Sequence, residues 1–194
     1  KVHAAAIGMP VFNTPGVFGD EVADLALSHL LMLLRKTHLM DRSVREGGWL
    51  KAEGRSLAGM TAGVVGLGSI GQAVAKRTVA FGMKTIGYDP YEFDPAVLAD
   101  AGIVQAPLDE VLERADALII ACALTPENHK LLGREALARV KPGLFVVNVS
   151  RGPLIDEDAL VDALADGRVA GAGLDVFENE PLPEDAALRQ HADK

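Results

Sequence analysis

Short apolar runs alternate with amphipathic segments along most of the chain, and this alternation predicts the fold. The runs predict strands at residues 61–65, 84–88, 103–105, 117–121, 144–148 and 169–173. Helical spacing marks the segments between them, at residues 70–81, 95–101, 108–114, 134–139 and 156–165. Continuously apolar strands that alternate with helices indicate a parallel sheet with helices on both faces. The pattern therefore predicts a doubly wound α/β fold.

The longest predicted helix, residues 20–36, is apolar on two sides. One stripe comprises Val22, Leu25, Ala26, His29 and Leu33, and the other comprises Leu27, Leu30, Leu31 and Leu34. Such a helix has to be buried on two sides, either against a partner subunit or inside one larger core, and the pattern favours neither. His29 is interpreted as a hydrogen-bonded core residue without a functional role.

The regions outside the alternation carry weaker signals. Residues 38–56 are polar and basic, and they predict the end of a helix and an exposed connection in which Trp49 anchors the packing. Residues 4–7 predict a short helix or strand, residues 11–13 a strand end, and residues 14–16 a turn. The tail from residue 179 is polar and rich in proline.

Composition narrows the class of protein. The 194 residues are 49% hydrophobic and 24% charged, which is typical of one soluble globular domain. A net charge of −8 argues against a nucleic-acid partner, and the apolar residues 25–34 are too short to cross a membrane. A single cysteine, Cys122, excludes an internal disulfide. We expect a cytoplasmic protein without a signal peptide or a metal site.

A glycine turn carries the clearest chemistry. Residues 66–71 read GLGSIG and stand between an apolar strand and a predicted helix. In a dinucleotide-binding loop Gly66 would allow the tight turn, Gly68 would let a pyrophosphate approach the backbone, and Gly71 would let helix and strand pack closely. The free N–H groups at the start of the helix would then face the phosphates.

An acidic residue stands where such a site needs one. Asp89 ends the second predicted strand, 18 positions after Gly71, and its carboxylate is placed to bind the adenosine ribose. No arginine follows at Pro90 or Tyr91 to bind a 2′-phosphate, so the sequence predicts NAD rather than NADP. The alternative is a glycine-rich turn in an α/β protein that binds no cofactor.

Several further motifs resemble one family. They are residues 148–152 (NVSRG), 171–177 (GAGLDVF), 178–181 (ENEP) and 13–16 (NTPG). Together with the glycine turn they resemble the NAD-dependent D-2-hydroxyacid dehydrogenases over essentially the whole chain. Residues 81–90 (FGMKTIGYDP) are most similar to the D-3-phosphoglycerate dehydrogenases. The resemblance implies a Rossmann fold, and it implies a role in serine biosynthesis if the substrate is 3-phosphoglycerate.

The resemblance also assigns residues to the site. Arg151 would bind the carboxylate and the ketone of a 2-oxo acid, and Glu180 would orient a catalytic histidine and raise its pKa. Asp175 would reach the nicotinamide carboxamide. The implied cofactor contacts are Gly66, Gly68, Ser69, Ile70, Gly71, Asp89, Cys122, Val149, Ser150, Arg151 and Asp175.

The catalytic histidine is the main departure from the family pattern. In the family it belongs to a Pro-His pair downstream of the glutamate, which we expect beyond Lys194, and neither His191 nor His129 matches it. We therefore expect residues 17–194 to be the NAD-binding domain, with a dimerisation helix at residues 20–36. Residues 1–16 would be a remnant of a substrate domain or a crossover between domains.

Two smaller departures concern the segment after the fourth predicted strand. The family usually has a proline at the position of Ala123, and Asn128 stands where a threonine is frequent. The backbone at this point flanks the cofactor, which makes Cys122 an expected contact. Nothing near Cys122 in the sequence would lower its pKa, so a redox role is not expected.

The combined prediction is the cofactor domain of an enzyme that transfers hydride between NAD and a D-2-hydroxy acid. The implied substrate is 3-phosphoglycerate, and the implied assembly is a homodimer. By itself the 194-residue chain should bind NAD without turnover. The alternative is a non-enzymatic, NAD-responsive scaffold like the transcriptional corepressors that resemble this family, since a shared fold does not fix a function.

Overall fold

A computed structural model describes residues 6–12 and 16–194. The features predicted at residues 1–5 and 13–15 lie outside the described residues, and these include most of the predicted turn at 14–16 and of the NTPG motif. Of the strand end predicted at residues 11–13, the two described residues belong to no strand.

Six parallel strands form one sheet. They are β1 (Thr61–Val65), β2 (Lys84–Tyr88), β3 (Ile103–Gln105), β4 (Ala117–Ile120), β5 (Leu144–Asn148) and β6 (Val169–Leu174). Their order across the sheet is β3-β2-β1-β4-β5-β6. The order reverses between β1 and β4, and this reversal is the switch point at which doubly wound sheets bind ligands. The predicted fold class is confirmed.

Seven α-helices connect or flank the strands within the described residues. They are α1 (Gly19–Arg35), α2 (Thr37–Arg45), α3 (Ser69–Ala80), α4 (Pro95–Ala101), α5 (Leu108–Arg114), α6 (Arg134–Arg139) and α7 (Glu157–Asp166). Helix α7 shows why the boundaries were predictable. The Asp156 side chain accepts a hydrogen bond from the Ala159 N–H at its start, and Gly167 adopts a left-handed conformation at its end.

The continuously apolar strands are explained by two cores, one on each face of the sheet. Along β4, Ala117 and Ile119 point into one core while Leu118 and Ile120 point into the other. All four of these residues are fully buried. Successive side chains of a strand alternate between its faces, so only a sheet covered on both sides places every position in an apolar environment.

Most of both apolar stripes of α1 are covered by other residues of the same chain. Leu27, Leu30 and Leu34 are buried in the core between α1 and the sheet. On the other stripe, His29 and Leu33 lie against the backbone of β6, at Gly173 and Gly171. Leu25 remains 37% exposed. Both apolar sides of α1 therefore find most of their packing partners within the chain, without a partner subunit.

The prediction that Trp49 anchors the packing is wrong. Its side chain is 79% exposed, and the neighbouring Leu50 is 45% exposed. The segment between α2 and β1 contains no helix or strand, so no element of the described chain folds over the indole. The predicted end of a helix in this region is confirmed, because α2 ends at Arg45.

Candidate functional site

The glycine turn lies at the carboxyl end of β1, and each glycine meets a different steric constraint. Gly66 has a φ of +97°, in the region that favours glycine, and a Cβ there would lie 2.6 Å from the Cys122 nitrogen. A Cβ on Gly71 would collide with the Gly66 carbonyl oxygen. The tight turn and the close packing of α3 on β1 therefore both depend on glycine.

Gly68 has the opposite environment. Apart from Gly68 and its two chain neighbours, no described residue has an atom within 4 Å of the position that a Cβ would take. Gly68 is also the residue that precedes α3, and none of the described side chains caps that end of the helix. The turn therefore leaves an open space in front of the unpaired N–H groups at the positive end of a helix, which is the environment that suits a pyrophosphate.

Asp89 lies beside this turn and is bound to it. Its Oδ2 accepts a hydrogen bond from the Leu67 N–H at 2.9 Å, and its Oδ1 accepts one from the Tyr91 N–H at 3.0 Å. Each carboxylate oxygen can accept more than one hydrogen bond, so a ribose hydroxyl can still be bound. Asp89 therefore links the glycine turn to the end of β2 in addition to its predicted role.

Gln105 on β3 supports the same segment from the side. Its side-chain amide donates a hydrogen bond to the Tyr91 carbonyl at 2.8 Å, with the Asp89 carbonyl at 3.4 Å. No signal in the sequence predicts this contact, because Gln105 stands at the end of a short strand with no motif around it.

A cavity of about 710 Å³ opens at the switch point between the glycine turn and the loops after β2 and β4. A cavity of this size is within the range that holds cofactors. The predicted contacts Gly66, Gly68, Asp89 and Cys122 all line it. Its wall is completed by residues from the ends of β1 and β2, the loops after β2 and β4, the 3₁₀ turn Pro126–Asn128 with the turn after it, and the start of α5. These residues are Val65, Tyr88, Pro90, Tyr91, Phe93, Leu108, Ala121, Ala123, Thr125, Glu127, Asn128 and Leu131.

Cys122 forms part of this wall as a neutral thiol. Burial raises the pKa of the thiol to about 11, and the negative charge of Asp89 acts in the same direction. At neutral pH a thiolate is therefore rare, which agrees with the expectation that Cys122 has no redox role.

Arg151 follows β5 at the same edge of the sheet. Its side chain is exposed, and one guanidinium nitrogen, Nη1, donates a hydrogen bond to the Ser150 carbonyl at 2.6 Å. Val149 and Ser150, which precede it and are also predicted cofactor contacts, are each only 8% exposed. The guanidinium thus extends beyond a buried backbone and can present its other donors to a ligand.

The turn that carries Arg151 is held by Asn148, a residue to which the sequence assigned no role. The Asn148 side chain is 1% exposed, donates to the Arg151 carbonyl at 2.9 Å and accepts from the Ser150 N–H at 3.0 Å. Its backbone carbonyl accepts from the Asp175 N–H at 3.0 Å. An asparagine at the end of a buried strand was the available signal, because a buried amide requires partners.

Glu180 lies in a segment that packs directly on the Arg151 turn. Its Oε1 accepts a hydrogen bond from the Phe177 N–H at 3.0 Å, and its side chain is exposed. A Cβ on Gly152 would overlap the Phe177 carbonyl, so the two backbones meet at this glycine. The fold therefore brings the two predicted catalytic residues into neighbouring segments.

Charged side chains fix the Glu180 segment to the start of α7. The Glu178 N–H donates to a carboxylate oxygen of Glu157 at 2.7 Å, and the Glu157 N–H donates to the Glu178 carboxylate at 3.3 Å. Lys130 lies 3.2 Å from the Asp156 carboxylate and 3.7 Å from that of Glu178. These contacts link residues from three loops and restrict how far the Glu180 segment can move.

His29 lies beside β6, and its environment differs from the predicted one. Its Nε2 is buried and has no hydrogen-bond partner among the described residues, so the interpretation as a satisfied core histidine is wrong. Burial lowers the pKa of the imidazole, and the nearby charge of Asp175 opposes that shift. The side chain packs on Gly173, whose missing Cβ leaves room for the ring.

The other two histidines named above lie outside this cluster. His129 is exposed at the end of a 3₁₀ turn, Pro126–Asn128, and His191 ends another, Ala187–His191. Within the described residues no three His, Cys, Asp or Glu side chains are grouped to hold a metal ion. Among the same residues no helix has both the length and the apolar character needed to cross a membrane.

The cavity fits NAD on structural grounds. An open space in front of a helix start suits the pyrophosphate, and a carboxylate with free acceptor capacity beside it suits the ribose. Both features lie at the carboxyl edge of the sheet, where Arg151 follows β5 and Asp175 follows β6.

Comparison with known proteins indicates the same family that the sequence motifs resemble. The family described as "D-isomer specific 2-hydroxyacid dehydrogenase, NAD binding domain" matches residues 27–193. A D-3-phosphoglycerate dehydrogenase of Mycobacterium bovis is 46% identical over 183 residues, which are 93% of this chain and 34% of that protein.

Solved structures agree in fold. A glyoxylate reductase from Paecilomyes thermophila has a TM-score of 0.88 and 36% identity, covering 95% of this chain and 56% of that one. A D-lactate dehydrogenase from Aquifex aeolicus is described as complexed with NAD and lactic acid. It has a TM-score of 0.85 and 28% identity, and the match covers 98% of this chain and 61% of that one. The chain thus spans between about one third and three fifths of the length of these relatives.

Proposed function

The chain belongs to the D-isomer specific 2-hydroxyacid dehydrogenase family, of which it forms the NAD-binding domain, and we propose that it serves an enzyme that oxidises a D-2-hydroxy acid. The observation that carries this proposal is the combination of the open Gly68 turn and the Asp89 carboxylate at one cavity, with the Arg151 turn following β5 at the same edge of the sheet. Bound NAD would accept the hydride from C2 of the hydroxy acid.

The described residues have separate roles in this proposal. The turn from Gly66 to Gly71, with Ser69 and Ile70, holds the pyrophosphate. Asp89 holds the adenosine ribose, and Cys122, Val149 and Ser150 border the nucleotide. Asp175 receives the carboxamide of the nicotinamide.

Arg151 and Glu180 carry the proposed chemistry. The guanidinium of Arg151 binds the substrate carboxylate and polarises the oxygen on the adjacent carbon through parallel donors. Glu180 holds a histidine of the longer protein, which takes the hydroxyl proton, and the carboxylate favours the protonated form of that imidazole. The contacts between Glu178 and Glu157 keep Glu180 close to the Arg151 turn.

The proposed substrate is 3-phosphoglycerate, and with it a step in serine biosynthesis. The 46% identity to the M. bovis D-3-phosphoglycerate dehydrogenase supports this choice. Relatives that act on other 2-oxo acids are almost as similar, so the full-length protein should be assayed with phosphoglycerate, glyoxylate, hydroxypyruvate and lactate side by side. We also propose a cytoplasmic location, in keeping with a single free cysteine.

A homodimer is the proposed assembly. Apolar side chains are exposed on and after α2, where Val44 is 56%, Trp49 is 79% and Leu50 is 45% exposed. Large exposed apolar residues concentrated in one region are typical of a protein interface. A two-fold axis would let this region contact the same region of a second copy.

The test uses the 194-residue chain and two substitutions of Gly68. NADH fluorescence should show saturable binding that Gly68→Val abolishes, while the smaller Gly68→Ala weakens binding less. Because no described residue other than its two chain neighbours has an atom within 4 Å of the new Cβ, thermal unfolding should be the same in all three proteins. Loss of binding without loss of stability would locate the pyrophosphate at this turn, and unchanged binding in Gly68→Val would refute the site.

Turnover provides a second test of the same proposal. A positioned general base typically contributes about 10²–10⁴-fold to the rate. We therefore expect no measurable reduction of NAD by the 194-residue chain with D-3-phosphoglycerate. A rate near that of ordinary dehydrogenases would place a base within the chain, and His129 and His191 would then be the residues to substitute.

A further inference from the structure

The loop after β4 forms one side of the cofactor cavity and has little structure of its own. Cys122, Ala123 and Thr125 from this loop line the cavity, and the two residues 123 and 125 are exposed. The loop ends in the 3₁₀ turn Pro126–Asn128, whose last residue, Asn128, is half-buried. A segment of this kind has several accessible conformations unless a side chain restricts it.

Asn128 supplies that restriction through both ends of its amide. Its Oδ1 accepts a hydrogen bond from the Thr125 N–H at 2.7 Å, and its Nδ2 donates one to the Ala123 carbonyl at 2.8 Å. The same Nδ2 lies 3.9 Å from the Cys122 sulfur. Only one orientation of the amide satisfies the N–H and the carbonyl together, so the side chain bridges the loop in a single way.

The Thr125 side chain returns the contact, because its hydroxyl accepts a hydrogen bond from the Asn128 N–H. This reciprocal pair closes the loop on itself at the border of the cavity. No other described side chain forms a hydrogen bond with the backbone of Ala123. Asn128 thus holds a part of this wall that neither a strand nor a helix fixes.

We propose that Asn128 is a positioning residue for NAD, which holds the Ala123–Thr125 backbone in the shape that the bound cofactor requires. The inference rests on the proposed NAD site and adds a determinant of its affinity. Without the amide bridge the loop would have to become ordered on binding, and that loss of conformational freedom would reduce the affinity. The side chain acts through the loop backbone, so restricting that backbone by other means should replace it.

Proline at position 123 offers such a replacement. The Ala123 N–H donates no hydrogen bond to any described residue, so its loss has no direct cost. The proline ring fixes φ and removes conformations from the free loop. If Asn128 acts by restricting the loop, Ala123→Pro should compensate for its loss, whereas a direct contact between the Asn128 amide and NAD would not be restored.

The experiment measures NADH affinity by fluorescence in the 194-residue chain for Asn128→Ala, Ala123→Pro and the double variant. Asn128→Thr serves as a second single variant, since its hydroxyl can still accept from Thr125 but is too short to bridge to Ala123 as well. His129→Ala is the matched control, because it changes an exposed neighbour in the same turn. Cys122, the single cysteine, reports on the loop through its rate of modification by a thiol reagent without cofactor.

We expect Asn128→Ala to weaken NADH binding about tenfold, as the loss of two hydrogen bonds would, and Asn128→Thr to weaken it less. Cys122 should be modified several-fold faster in Asn128→Ala, and the double variant should return both values to within about twofold of the parent, which carries neither substitution. His129→Ala should match the parent.

Two outcomes would overturn the inference while the proposed site stands. One is equal NADH affinity in the parent and in both single Asn128 variants. The other is a loss of affinity that proline at position 123 does not reverse, with no change in the Cys122 rate. If the parent chain itself fails to bind NADH, the proposed function is refuted and this inference with it.

Discussion

At the scale of single residues, Asp89 shows why a binding residue has to be tested with care. Its carboxylate accepts from the Leu67 and Tyr91 N–H groups as well as facing the cofactor cavity. Truncation to alanine would leave both N–H groups without their acceptor, which loosens the glycine turn in addition to removing the proposed ribose contact. A loss of binding in Asp89→Ala therefore combines two effects.

Asp89 also leads to a prediction about cofactor choice. The chain should bind NADH more tightly than NADPH, because the carboxylate repels a 2′-phosphate. Asp89→Asn retains one of the two backbone hydrogen bonds and removes the charge, so it should narrow that preference with a smaller loss of NADH affinity than Asp89→Ala. Titrations of both cofactors measure this. Asp94→Asn is the control, because it alters a helix cap outside the cavity. Tighter binding of NADPH than of NADH by the unmodified chain would contradict the prediction.

His29 leads to a prediction about pH. Burial lowers its pKa below the usual 6.5, so between the two values the unfolded chain binds a proton that the folded chain does not. The free energy of unfolding should therefore have its full value above pH 6.5. It should fall as the pH drops from 6.5 towards the lower pKa of the folded chain. Urea unfolding at pH 7.5, 6.5 and 5.5 should show that fall, and His29→Leu should reduce it.

The control for this pH effect is His129→Gln, a substitution at an exposed position. It should leave the fall in stability unchanged. A pH dependence that is equally steep in His29→Leu would show that other groups cause it.

At the scale of secondary-structure elements, α1 separates residues of the core from residues of the surface. Leu30 is fully buried between the helix and the sheet, whereas Leu25, five positions earlier, is 37% exposed. The same substitution at the two positions should therefore have very different costs. Leu30→Asp should destabilise the chain by more than about 4 kcal/mol, because it leaves a cavity and buries a charge.

Leu25→Asp should change the free energy of unfolding by less than about 1 kcal/mol, as most surface substitutions do. Denaturant unfolding of the two variants measures the difference. Similar costs at both positions would mean that the second side of α1 is buried as deeply as the first. Because the described residues leave Leu25 partly exposed, a second copy would be the expected source of that burial.

At the scale of the whole molecule, the exposed apolar region around Trp49 predicts the assembly. Light scattering should give twice the 20.4 kDa mass of one chain at micromolar concentration. Trp49→Ser should shift the chain to the monomer without unfolding it, because the indole makes few contacts within its own chain. Val104→Ser is the control, since this residue is 65% exposed on the edge strand β3. A monomer mass for the unmodified chain would contradict the dimer.

Much of this structure could be predicted from local sequence alone. The predicted bounds of β5 and α6 agree with the structure, and α7 begins and ends beside the capping residues Asp156 and Gly167. The glycine turn was equally predictable. These features depend on residues within a few positions of one another, where the spacing of apolar side chains and the backbone preferences of glycine act directly.

The tertiary structure decided which polar groups meet and which apolar groups stay uncovered. The packing of distant segments decides that Asp175 donates to the Asn148 carbonyl and Leu67 to Asp89, and that the His29 Nε2 finds no partner among the described residues. It also leaves Trp49 exposed, and no local pattern encodes any of this. A hydrogen bond needs a partner within about 3 Å and in line with the donor, so its existence depends on the full arrangement of the chain. The sequence by itself therefore determined the elements and the class of ligand, and the packed structure determined how the site is held together.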